Sequence, residues 1–122
     1  MDGLPEGLSG IKELDLQKGM AYLANSAILY QKILKTFVKT IRADDNKLLT
    51  FLSQNDINNF IISVHGYKSS LASIGATELS EKAKELEFAG KENRFDFIEA
   101  NIQAFNDRLN KLAGDVGAVL AV

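Results

Sequence analysis

Residues 56–76 read DINNFIISVHGYKSSLASIGA, and the fold turns on how they are read. Asp56 is a residue type that caps helix N-termini. At 100° per residue, Ile57, Phe60, Val64, Tyr67, Leu71 and Ile74 gather on one side of a helix. Gly75-Ala76 then ends the segment or marks a tight helix-to-helix turn. No window of the chain alternates as a half-buried strand would.

The pattern extends on both sides. Upstream, Asp15 to Leu23 forms a short first helix, and Asn25-Ser26 offers a cap. Ile28, Leu29, Ile33, Phe37, Val38 and Ile41 recur at the three- and four-residue steps of a core-facing helix. Leu48, Leu49, Phe51 and Leu52 extend that helix or follow a break near Asp44-Asp45. The favoured reading is one long helix ending near Gln54-Asn55. Downstream, Thr77 caps a helix whose apolar positions are Leu79, Ala83, Leu86 and Phe88/Ala89, closed by Gly90. Asp96 and Glu99 resemble a capping box, and Phe97, Ile98, Ile102, Phe105, Leu109 and Leu112 mark a last long helix. The only proline is Pro5, so nothing later forbids helix. The expected fold is all-α: an antiparallel four-helix bundle with a short additional N-terminal helix. Residues 1–10 read as a linker, 11–113 as the bundle, and 114–122 as a tail or frayed helix end.

A chain of 122 residues is most simply one domain. A formal net charge of −2 gives no electrostatic case for nucleic acid. The chain has no cysteine, which removes disulfides and thiolate chemistry, and a single histidine, which removes a histidine-rich metal site. No metal ligand set is expected. No apolar run approaches the roughly 20 residues that span a bilayer. The acidic, glycine-rich start is unlike a secretory signal, so the chain reads as cytoplasmic. Its opening segment looks like a linker preceding a domain cut from something larger.

The single histidine, His65, lies inside the deciding stretch. With the core-facing centre near Val64 and Leu71, it falls roughly 100–120° round the wheel, at the edge of the buried stripe. Asn58, Ile61, Ile62, Lys68, Ser69 and Ala72 share that flank. Histidine can act as a nucleophile near neutral pH, and Lys68, three residues on, returns a cation to nearly the same face. Small neighbours at Ser69 and Ala72 let another protein approach the imidazole, and Ile61 and Ile62 offer apolar contacts. Taken alone, each residue has a plainer explanation. A lone helix histidine is ordinarily a surface residue, a lysine at i+3 a solvated charge, and single exposed apolar groups need no function.

His65, Lys68, Ile74, Gly75 and Ala76 fit, without a gap, the H-x-L-K-G motif and closing hydrophobic-Gly-Ala of another group of proteins. Across roughly residues 8–113 the chain resembles the histidine-containing phosphotransfer (HPt) domains of multistep two-component phosphorelays. Leu79, Ala83, Leu86 and Glu87 continue that pattern, as do Gly10-Ile11, Asp15 to Gly19, Tyr30 and Phe37 upstream. Two departures stand out: Ser69 where the family usually has glycine, and Tyr67 where it has leucine. The resemblance implies that His65 is the phosphoacceptor and that Lys68 stabilises phosphoryl charge. It also implies that Glu87 orients the imidazole through its other ring nitrogen. Asn58, Ile61, Ile62, Ser69 and Ala72 would meet the partner.

That partner would be the receiver domain of a response regulator or hybrid kinase, which brings the aspartyl phosphate and Mg²⁺. The chain itself would be a monomer and a carrier rather than a kinase, having no P-loop. A histidine-kinase dimerisation domain and a non-catalytic helical adaptor are the alternatives. The first usually follows its histidine with an acidic residue, whereas Gly66 stands here.

Overall fold

The computed structural model describes residues 3–122. A 3₁₀ turn at Glu6–Gly10 leads into six α-helices. They are α1 (Leu16–Ala21), α2 (Ala27–Asp44), α3 (Lys47–Ser53), α4 (Ile57–Ser73), α5 (Thr77–Lys91) and α6 (Phe95–Leu120). Among the described residues there is no strand. The helix α4 packs along α5, α5 against α6, and α6 against α2. Two tyrosines close the ring between α2 and α4: the Tyr30 hydroxyl donates to the Ile74 carbonyl at 2.7 Å, and that of Tyr67 to Asp44 Oδ2 at 2.6 Å. Because residue 30 meets 74 while 44 meets 67, the two helices run antiparallel. The expected four-helix bundle is therefore α2, α4, α5 and α6.

Apolar periodicity produces this packing. Phe60, Val64, Tyr67 and Leu71 of α4 and Ile74 at its C-cap are buried in one core with Tyr30, Leu34, Phe37, Val38 and Ile41 of α2. Ile28 and Leu29, expected in the core, are instead 71% and 47% exposed. With Tyr30 and Leu34 facing inward, Ile28 stands two residues before Tyr30, on the outer side of the helix.

The long helix expected through Asn55 is two helices. Asp45 and Asn46 both adopt left-handed backbone, at φ 46° and 60°, a conformation that Asn and Asp tolerate better than most side chains. Asn46 Oδ1 accepts hydrogen bonds from the side-chain amides of Asn106 and Asn110, at 2.9 and 2.8 Å, which anchors the break on α6. The chain then redirects α3 onto α4.

Ser26 and Asp56 cap α2 and α4 as expected, accepting from the Leu29 and Asn59 amides. Thr77 is the first residue of α5 rather than its cap, which is Ala76. The Asp96–Glu99 capping box does not form, because α6 already begins at Phe95 behind Arg94. Phe97 accordingly sits at the helix's exposed start. Gly75 has φ +84°, and a Cβ there would run into the Asp15 carbonyl. Its own carbonyl accepts from the Asp15 amide at 2.8 Å, so this glycine lets the start of α1 lie directly on the α4–α5 turn.

Residues 1–2 of the expected linker lie outside the described residues; the rest of both terminal segments belongs to the fold. The segment expected as a linker buries Leu8 completely and packs on α6. The segment expected to fray is helical to Leu120, with Ala113, Val116 and Gly117 buried. Each end explains the other, since Val119 lies against Gly7. Arg108 fixes the connection by pairing with both oxygens of Glu13 and with Glu78, all at 2.8 Å. Those two carboxylates raise its already high pKa further, against the cost of partial burial.

Candidate functional site

The site lies where α4 and α5 run side by side. Val64 is fully buried, and one residue later the His65 side chain is 58% exposed on the flank towards α5. Opposite it, Glu87 is buried on α5, its side chain only 6% exposed. Register between the helices is held by the Ser80 hydroxyl, which donates to the Lys68 carbonyl at 2.8 Å. Ile61, packed over Gly90, holds the far end.

Glu87 gathers three groups. Its Oε2 lies 2.7 Å from His65 Nδ1 and 3.1 Å from Lys91 Nζ. Its Oε1 accepts from Lys68 Nζ at 2.7 Å. Burial alone would push the carboxyl upward, but hydrogen bonds from Lys68, His65 and Lys91 outweigh it and hold the group down at about 2. An ionised carboxylate only accepts hydrogen bonds. In the neutral imidazole the proton is therefore fixed on Nδ1, and the lone pair stands on Nε2. No side chain among the described residues is hydrogen-bonded to Nε2. Both carboxylate oxygens are occupied by cationic partners, which suits ion pairing rather than metal ligation. Among the described residues no group of three or more His, Asp or Glu is placed to hold a metal.

The other residues singled out from sequence fall around this centre in different ways. Asn58 and Ile62 are exposed, Ile62 at 67%, whereas Ile61 is half-buried against the core. Ser69 is exposed, its hydroxyl making a long contact of 3.4 Å back to the His65 carbonyl. Ala72 lies further along the same flank and lines a groove of about 550 Å³ with Lys18, Tyr22, Thr77 and Glu81. Tyr67 turns its ring inward and finds Asp44, and Lys47 sits 5.3 Å over its face. Burial, reinforced by the bond to Asp44, pushes its phenol well above the ordinary range.

Lys91 and Ser80 were missed from sequence. Lys91 follows Glu87 by four residues, a spacing that places both on one helix face and that was available to find it.

The site is thus an exposed imidazole held through one ring nitrogen, with two lysines gathered on the same carboxylate and a closed helical bundle beneath. A family model described as the Hpt domain matches residues 32–115. The chain belongs to the Hpt domain family, whose members carry phosphoryl groups on histidine in phosphorelays. No curated protein and no solved structure matches the chain.

Proposed function

We propose that this protein accepts a phosphoryl group on His65 from the aspartyl phosphate of a receiver domain and passes it to the aspartate of a second receiver. The observation that carries the reading is the 2.7 Å contact between His65 Nδ1 and the Glu87 carboxylate, which leaves Nε2 as the nucleophilic nitrogen. Nε2 attacks phosphorus in line. The N–P bond forms as the P–O bond to the donor aspartate breaks, and that aspartate leaves as a carboxylate. Phosphoryl transfer depends mainly on positioning and on neutralising charge over the equatorial oxygens. Lys68 supplies a cation for that charge, and Mg²⁺ on the receiver supplies the rest. Glu87 holds the ring and the tautomer. Asn58, Ile61, Ile62, Ser69 and Ala72 form the rim met by the receiver, and the protein works as a cytoplasmic monomer.

The kinase-type dimerisation reading fits less well, because one chain here already completes a four-helix bundle. The test is to incubate the protein with a phosphorylated receiver and Mg²⁺ and follow acid-labile, base-stable label. Wild type is expected to take up label and His65→Gln to take up none. Full labelling of that variant would refute the assignment, and a wild type that no receiver labels would favour the adaptor reading.

A further inference from the structure

The outer face of α2 is unlike the rest of the surface. Lys32, Lys35, Lys39 and Arg42 recur at i, i+3, i+7 and i+10, which lines them up along one face. All four are exposed. Between Ala27 and Ala43 the helix carries no acidic residue, in a chain whose Asp and Glu outnumber its Lys and Arg by 16 to 14. None of the four is in an ion pair among the described residues, whereas the cations of the site and of α6 are paired. The stripe is about 15 Å long, ten residues at the helical rise. It has a firm base: α2 packs on α6, and the Arg42 guanidinium lies across the buried Gly117, where a Cβ would approach it to 2.5 Å. Across the core from α2 stands α5, so the stripe faces away from the α4–α5 surface that carries His65.

We propose that this face docks an acidic helix of a partner protein, separately from the His65 site. Charge complementarity selects the occupant. A helix with carboxylates at the same repeat can set each one opposite a cation, since the spacings of two helices match. An anionic membrane fits less well, because lasting attachment of a surface helix needs an apolar face to insert. Here the apolar face of α2 is in the core, and the exposed large apolar residues of the helix, Ile28 and Leu29, lie at its first turn, before the stripe begins. A partner held here would leave Nε2 of His65 open, so one protein could be retained while another exchanges phosphoryl.

The test uses a labelled, alanine-rich helical peptide with four glutamates at the i, i+3, i+7, i+10 repeat, and a scrambled peptide of the same composition. Wild type is expected to bind the patterned peptide more tightly than the scrambled one, with affinity falling as salt rises. The triple variant Lys32→Glu, Lys35→Glu, Lys39→Glu is expected to bind about tenfold or more weakly. Arg42 is left in place because it packs on α6, and unchanged helicity and melting of the variant would show that the fold is intact. The readout is independent of His65, so failure of the relay reading would leave it standing. Equal affinity for the two peptides would overturn the proposal, as would full binding by the triple variant. Stripe-dependent binding to phosphatidylserine vesicles without peptide binding would also overturn it and assign the face to lipid.

Discussion

Removing the Glu87 carboxylate frees three nitrogen groups at once, because His65, Lys68 and Lys91 all converge on it. A carboxyl held below its ordinary value favours the folded state when ionised. That contribution is complete above the ordinary value of 4.5 and disappears as pH falls towards about 2. Glu87→Gln is therefore expected to flatten the loss of unfolding free energy over that interval, measured by denaturant titration at a series of pH values. Identical pH profiles would show that Glu87 has no special environment. Lys68→Ala is expected to slow phosphotransfer or shorten phosphohistidine lifetime about tenfold, less than removing a fully buried donor, without unfolding the bundle. Equal rates and lifetimes would remove the charge role. The sequence made His65 and Lys68 visible through their spacing. Glu87 became visible only through the family resemblance, because no periodicity relates residue 65 to residue 87.

At the scale of elements, α4 was readable almost to the residue, from the Asp56 cap to the Gly75 turn. Its apolar positions, its N-cap and its closing glycine agree with one another. The Asp45–Asn46 break was harder to place, because apolar residues continue on both sides of it. What fixes it is a tertiary contact, Asn46 to Asn106 and Asn110, sixty residues or more away in sequence. Tyr67 couples this break to the site helix through Asp44. Tyr67→Phe is expected to cost about 1–2 kcal/mol, the loss of a hydrogen bond that leaves a carboxylate short of a partner. Chemical denaturation measures it, and a neutral substitution would mean that the bond contributes nothing net. Gly75→Ala is expected to cost more than about 1 kcal/mol, since positive φ and the nearby Asp15 carbonyl both oppose a Cβ.

For the molecule as a whole, the chain ends were the least legible part. A run of glycine and small apolar residues reads as a fraying tail because it lacks large side chains. Gly117 and Val116 are nonetheless buried, and Val119 meets Gly7 of the opening segment. Truncation after Ala113 is expected to lower the melting temperature by several degrees or more, since it removes the fully buried Val116 and the packing of Val119 on Gly7. An unchanged melting temperature would return residues 114–122 to the status of a tail. Among the described residues no helix is long and apolar enough to cross a bilayer. The bundle holds one imidazole at its surface, with Nδ1 engaged by Glu87 and no side-chain hydrogen bond to Nε2 among the described residues.

Nitrogen-15 NMR of the phosphorylated protein, with phosphorus coupling assigned to a ring atom, tests that arrangement most directly. A single phosphohistidine is expected at His65, with the phosphoryl group on Nε2 and a proton retained on Nδ1 beside Glu87. Phosphate on Nδ1, or on any residue other than His65, would contradict it.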